Sequence, residues 1–228
     1  VSLVDLRERL RGGLIVSVQA YDDSVLNTPE TIALLARCAV ANGAVAVRIE
    51  GAARIAAVRA AVDVPIVGIV KRKHAGFEPY ITSVVGEVAE VADAGATIVA
   101  FDATDRPRPG GVTVRALVAA ALERGLLSMA DCATAGELVA AGAAGAHLVA
   151  TTLAGHTAET AGRALPALDL VTAASTRHPF VVCEGGIASP DDARAAFAAG
   201  ASAIVVGTAI TNIDALVRRF ASVAPAST

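Results

Sequence analysis

The stretch Phe180-Val181-Val182-Cys183-Glu184-Gly185-Gly186 decides the fold. Four apolar residues in a row, with no polar alternation, mark a strand covered on both faces, and such strands build parallel sheets. A carboxylate follows at once, then two glycines. Glutamate is a poor strand former and is rarely buried unless paired, so its place here points to chemistry rather than packing.

The same grammar runs outward through the chain. Strands are predicted at Leu14–Val18, Ala46–Ile49, Ile66–Val70, Thr97–Phe101, Leu127–Ala130, Ala146–Ala150, Phe180–Cys183 and Ala203–Val206. Six carry a chemically useful polar residue at or near their end: Gln19, Arg48, Lys71, Asp102, Asp131 and Glu184. The others run into Thr151-Thr152 and Gly207-Thr208. Helical patterns lie between them, from Pro29 to about Asn42, from Thr113 to Arg124 and from Pro190 to Ala199. Thr28 and Ser189 each precede a proline at a first helical position, a start signal. A repeat of Asn42-Gly43-Ala44, Ala94-Gly95-Ala96, Ala141-Gly142-Ala143 and Ala199-Gly200-Ala201 closes helices before even-numbered strands. Its period is about fifty residues, one βαβα unit. Four units make a single (β/α)8 TIM barrel over residues 1–228, with a short amphipathic helix before the first strand. A doubly wound sheet is disfavoured, because no GxGxxG follows that strand.

Composition narrows the function. Of 228 residues, 54% are hydrophobic and 18% charged, which suits a large core and not disorder. With net charge −3, 3% aromatic residues and no tryptophan, the chain offers neither a phosphate-backbone footprint nor a base-stacking surface, so no nucleic-acid partner is expected. No apolar run of membrane length occurs, and Val1 to Arg11 lacks the apolar stretch of a signal peptide. Cys38, Cys132 and Cys183 are too widely spaced for a CxxC site, which implies reduced thiols in the cytoplasm. Cys38 falls in a helical pattern and reads as core filler. His74, His147, His156 and His178 show no metal-ligand spacing, so neither metal nor cofactor is expected; His147 reads as a satisfied imidazole in an apolar run.

In a parallel barrel the strand ends build the active site. Lys71 suits a base, a Schiff-base nucleophile or a phosphate contact, or else a solvated loop charge beside Arg72 and Lys73. Arg48 suits an anion or a polarised carbonyl, or a structural ion pair with Glu50 or Asp102. Asp102 and Asp131 could orient Lys71 or bind a sugar hydroxyl, and Asp102 could instead cap its loop through Thr104. Gln19 suits an amide or hydroxyl, or a loop hydrogen bond. His156 sits in a loop that could touch substrate. Gly185-Gly186 and Gly207-Thr208, after the last two strands, lie where such barrels hold a phosphate. The basic loop Asp105 to Gly111 could contact a phosphate or be solvated.

Together these residues give the chain a likeness from about Gly12 to Phe220. It resembles the bacterial N-acylmannosamine-6-phosphate 2-epimerases of sialic-acid catabolism. The matching segments include Val47-Arg48-Ile49-Glu50-Gly51, Val67-Gly68-Ile69-Val70-Lys71-Arg72, Asp102-Ala103-Thr104-Asp105-Arg106-Pro107-Arg108-Pro109, Met129-Ala130-Asp131-Cys132 and Val206-Gly207-Thr208-Ala209-Ile210-Thr211. The resemblance implies metal-independent epimerisation at C2 of an N-acyl amino-sugar 6-phosphate, through an enolate-type intermediate. It implies proton transfer at Lys71 and Glu184, and substrate-binding or orienting roles at Gln19, Arg48 and Asp131; Thr151 and His156 are also expected to touch substrate. Phosphate would lie against Gly185, Gly186, Gly207 and Thr208. Three positions depart from the common pattern: Gly186 replaces an arginine, Val18 a cysteine and His156 a tyrosine. A metal-dependent pentulose-phosphate 3-epimerase and a non-catalytic sugar-phosphate sensor are the competing readings. The final helix suggests a small flat surface and hence a homodimer.

Overall fold

A computed structural model describes residues 3–224. On sequence grounds the tail from Ala224 to Thr228 is expected to fray, and of it only Ala224 falls among the described residues. Eight parallel strands close into a barrel in sequence order, with β8 returning to β1. They are β1 (Leu14–Ser17), β2 (Ala46–Glu50), β3 (Ile66–Ile69), β4 (Ile98–Asp102), β5 (Leu127–Asp131), β6 (Leu148–Ala150), β7 (Val181–Glu184) and β8 (Ala203–Val206). Each lies within two residues of its apolar run. The helices are α1 (Leu3–Glu8), α2 (Pro29–Ala41), α3 (Ala52–Arg59), α4 (Val85–Asp93), α5 (Val114–Glu123), α6 (Ala135–Ala143), α7 (Leu168–Ser175), α8 (Pro190–Ala198), α9 (Thr208–Thr211) and α10 (Ile213–Ala221). Among the described residues, none is long and apolar enough to cross a membrane.

Local chemistry sets the helix ends. Thr28, Thr113 and Ser189 accept hydrogen bonds from Thr31, Ala116 and Asp192 N–H at the starts of α2, α5 and α8. Thr134 and Glu137 form a reciprocal cap on α6. Gly43, Gly95 and Gly200 take φ of 102°, 95° and 101° just after their helices, as the repeat predicts. The repeat fails at its third copy. Gly142 lies inside α6, and the left-handed residue is Gly145, with φ of 97°. The run Ala141-Gly142-Ala143-Ala144-Gly145-Ala146 contains the triplet twice, and helix length selects the second.

Strand alternation divides the core in two. One set of side chains fills the barrel: Ile15, Ala46, Val67, Ile69, Ile98, Ala100, Leu127, Met129, Leu148, Ala150, Val182, Ala203 and Val205, with Leu6 and Leu10 packed among them. The other set, including Val16, Val47, Ile49, Val99, Phe101 and Cys183, packs outward against the helices. Gly68 belongs to the outward phase. A Cβ there would lie 2.6 Å from Val91 and 2.8 Å from Ala96, so its absence lets α4 close on β3. Cys38 is exposed on α2, contrary to its expected place in the core. It lies two residues beyond buried Ala36, about 200° around the helix.

Candidate active site

The inward phase of each strand, continued past the hydrophobic filling, selects the site. Two residues beyond Ile15, Ala46, Ile69, Met129, Ala150, Val182 and Val205 come Ser17, Arg48, Lys71, Asp131, Thr152, Glu184 and Gly207. Most of these, together with Gln19, His156, Gly185, Gly186 and Thr208, line one cavity of about 520 Å³ at the strands' C-terminal end.

Arg48 anchors the floor and is 1% exposed. Its Nη2 donates to Asp131 Oδ2 at 2.7 Å, and its Nη1 donates to Asp131 Oδ1 at 3.1 Å and Glu184 Oε2 at 2.9 Å. Thr152 Oγ donates to Asp131 Oδ1 at 2.7 Å and Glu184 Oε2 at 3.0 Å. Burial opposes the charge on Arg48, but Asp131 and Glu184 outweigh it and raise its pKa. One guanidinium thus serves two carboxylates. Asp131 takes both its terminal nitrogens, Glu184 shares one of them, and the buried Nε has no partner among the described residues. Burial, with Asp131 nearby, pushes Glu184 up to about 7 against the pull of Arg48, Thr152 and Lys71. No hydrogen bond engages Glu184 Oε1 among the described residues; the contacts from Arg48 and Thr152 are both to Oε2.

Lys71 lies on the cavity wall just past β3. The following loop folds back on the strand end. Lys71 bridges Ile81 antiparallel, Arg72 N–H donates to Tyr80 O at 2.8 Å, and Thr82 N–H donates to Val70 O at 2.8 Å. Thr82 has φ of 43°, a conformation that β-branched residues rarely adopt. Its hydroxyl accepts from Val70 N–H at 3.1 Å, which ties the hairpin to the strand. Tyr80 and Ile81 thereby join the rim. Lys71 is exposed at the cavity rim, yet its pKa is lowered from 10.5, first by desolvation and then by Arg48, against opposing attraction from Glu50 and Glu184. No hydrogen bond or ion pair engages its amine among the described residues. Arg48 therefore does two things: it holds Glu184 in place and it disfavours charge on Lys71.

Gln19 donates to Ser17 Oγ at 2.7 Å, which leaves its carbonyl oxygen for the cavity. Gly185 and Gly186 have φ of 103° and 76°, and no hydrogen bond among the described residues uses their N–H groups. A Cβ on Gly186 would lie 2.3 Å from Leu165 Cβ, so the position admits no side chain without movement of that loop.

Several expectations need correction. Asp102 does not reach the cavity. Its Oδ1 accepts from Thr104 N–H and Oγ at 3.0 and 2.7 Å, and its Oδ2 accepts from Arg106 at 2.7 Å, so it caps its own loop. That loop's arginines are equally committed, since Arg108 donates to the carbonyls of Asp102 and Thr104 at 2.9 and 2.6 Å. Asp131 is fully buried behind Arg48 and holds that guanidinium through both carboxylate oxygens, which fits the orienting role of the two expected for it. Thr151 has the outward phase. Its hydroxyl bonds the backbone of Glu184, donating to O at 2.9 Å and accepting from N–H at 3.1 Å. Thr152 takes the place expected for it, and strand phase would have found it. Arg48 pairs with neither Glu50 nor Asp102. His147 is satisfied as expected, with Ser128 N–H donating to its Nδ1 at 3.1 Å. Asn212 and Arg219 line the cavity and were missed, because α9 and α10 follow the last strand and carry no strand-end signal.

No group of His, Cys, Asp and Glu side chains that could hold a metal occurs among the described residues.

Known proteins agree with this architecture. A family model described as "Putative N-acetylmannosamine-6-phosphate epimerase" matches residues 32–225. A protein of Synechococcus elongatus named "Putative N-acetylmannosamine-6-phosphate 2-epimerase" is 46% identical over 216 residues, covering 93% of each chain. One of the same name from Escherichia fergusonii is 44% identical over 211 residues, covering 92% of this chain and 91% of the other. The solved structure of the N-acetylmannosamine-6-phosphate 2-epimerase from Clostridium perfringens superposes with a TM-score of 0.92 at 34% identity, covering 96% of both chains. A thiamine phosphate pyrophosphorylase from Pyrococcus furiosus, with a TM-score of 0.60 at 17% identity, shares the fold alone. With the match spanning barrel and strand-end site alike, the chain belongs to the N-acetylmannosamine-6-phosphate epimerase family.

Proposed function

We propose that this protein interconverts N-acetylmannosamine 6-phosphate and N-acetylglucosamine 6-phosphate, with Lys71 and Glu184 exchanging the C2 proton. One observation carries the reading: a lysine with lowered pKa and a glutamate raised to about 7 share one cavity. Each is shifted toward the neutral form, which suits a pair that passes one proton near neutral pH.

In the open-chain sugar, the C2–H bond lies beside an aldehyde. Neutral Lys71 takes that proton, and the bonding electrons move toward the C1 oxygen. The enolate then takes a proton at the opposite face of C2 from Glu184 Oε1, which inverts the centre. The reverse reaction starts with ionised Glu184 and charged Lys71. Gln19 offers a carbonyl oxygen to the N-acyl N–H or a hydroxyl, and His156 lines the same cavity. The open N–H groups of Gly185 and Gly186, with Gly207 and Thr208, suit the phosphate.

Free thiols at Cys38, Cys132 and Cys183 support a cytoplasmic setting. Ile213, Val217 and Phe220, exposed on one face of α10, support a homodimer. That face bears large apolar side chains rather than the small flat surface expected of the last helix.

An NMR time course on N-acetylmannosamine 6-phosphate tests the activity, with the unphosphorylated sugar as control. The reading requires approach to a fixed mixture of the two phosphorylated epimers. No conversion by folded protein would overturn it.

A further inference from the structure

We infer that Arg219, on the last helix, binds the substrate phosphate and sets the preference for a phosphorylated sugar. The inference rests on the reading of this cavity as a sugar-phosphate site.

Charge accounting leads to it. Three residues with permanently or normally cationic side chains line the cavity: Arg48, Lys71 and Arg219. Arg48 is committed to Asp131 and Glu184. Lys71 is the amine that must become neutral to take a proton. A phosphate dianion therefore has one uncommitted guanidinium to meet. Arg219 is exposed, and no hydrogen bond or ion pair engages its side chain among the described residues. The glycine turn after β7 cannot supply a cation, because a Cβ at Gly186 would strike Leu165 Cβ at 2.3 Å. That turn offers N–H groups alone, which orient an anion but carry no full charge.

The helix holds Arg219 in place. Successive helical residues lie about 100° apart, so Asn212, Ala215 and Arg219 share one face, and all three line the cavity. The apolar Ile213, Val217 and Phe220 occupy a different face. Arg218 stacks over the Tyr21 ring, 5.0 Å from its centroid, and Tyr21 lines the same cavity from the loop after β1. This contact ties the C-terminal half of α10 to the loop that bears Gln19. The helix thus closes the phosphate side of the mouth while its guanidinium remains available. Arginine matches two phosphate oxygens at once, which a lysine there would not.

The test compares wild type with Arg219→Ala and Arg219→Lys. It measures kinetics on N-acetylmannosamine 6-phosphate, and calorimetric binding of inorganic phosphate. Circular dichroism verifies the fold. Arg219→Ala should raise KM roughly 10- to 100-fold and weaken inorganic phosphate by a similar factor, with kcat changed less than threefold. Arg219→Lys should recover part of both. KM and phosphate affinity within twofold of wild type in Arg219→Ala would overturn the assignment, as would a loss confined to kcat. The two readings fail separately. A wild type that binds inorganic phosphate through Arg219 without epimerising would end the proposed activity and leave this assignment standing.

Discussion

Arg48 Nη1 lies 2.9 Å from Glu184 Oε2, and the other oxygen of that carboxylate has no partner among the described residues. The contact orients Glu184 without satisfying it. One oxygen is fixed to the floor, and the other can gain or lose a proton while the ion pair persists. Asp131 takes two of the three hydrogen bonds that Arg48 makes, and the buried Arg48 Nε has no partner among the described residues, so Glu184 is stabilised as an anion only in part. Burial first, with Arg48 divided between Glu184 and the fully buried Asp131, accounts for a pKa of about 7 beside an arginine.

The pH dependence follows from the pair rather than from either residue alone. The active form carries one proton shared between Lys71 and Glu184. Below about 7, Glu184 gains a second proton while Lys71 stays charged, and turnover falls. Above the Lys71 pKa, lowered from 10.5, the last proton is lost and turnover falls again. The kcat/KM profile, which reports the free enzyme, should be a bell with its acid limb near 7 and its alkaline limb below 10.5. A rate flat from pH 5 to 10 would contradict it.

Thr152→Val and Asp131→Asn should move the acid limb in opposite directions. The Thr152 hydrogen bond lowers the Glu184 pKa, and the negative charge of Asp131 raises it. Removing the hydroxyl should shift the limb to higher pH, and neutralising the aspartate should shift it to lower pH. Shifts of the same sign would refute this account of the cluster.

Asp131→Ala should cost stability as well. It leaves Arg48 buried with one of its three hydrogen bonds, and removal of one partner from a buried pair costs about 3–5 kcal/mol. Glu184 remains in place, so the loss should fall near about 3 kcal/mol in urea unfolding. A loss under about 1 kcal/mol would mean that water or rearrangement satisfies the arginine.

Gly186→Ala tests the turn. The residue has φ of 76°, and its new methyl would meet Leu165 Cβ at 2.3 Å. Positive φ and overpacking each cost about 1–3 kcal/mol, so lower stability should accompany a raised KM as the turn shifts. A variant with wild-type melting temperature and KM would show that the turn and the Leu165 loop yield freely.

The barrel was legible because parallel strands covered on both faces read as unbroken apolar runs, and the first polar residue past each run marks its mouth. Lys71, Glu184, Gln19 and Arg48 were found this way. Strand phase was the neglected signal: it distinguishes Thr152 from Thr151. It does not exclude Asp102, which shares the inward phase of Ala100 but is drawn to Thr104 and Arg106 in its own loop. Pairing was beyond reach, since Arg48 meets partners 83 and 136 residues away, and proximity of that kind comes only from closure of the barrel. Arg219 was hidden for a similar reason. Its helix looks like an ordinary amphipathic surface helix until it folds back over the mouth.

Hydrogen exchange at C2 tests the pair most directly. Lys71→Ala and Glu184→Gln would each be incubated in deuterated water with each phosphorylated epimer, and label at C2 followed by NMR. With two bases on opposite faces, each variant should lose epimerisation by about 10²- to 10⁴-fold yet still exchange the C2 hydrogen of one epimer, a different one for each variant. Epimerisation by Lys71→Ala near the wild-type rate, or exchange of the same epimer by both variants, would contradict the account.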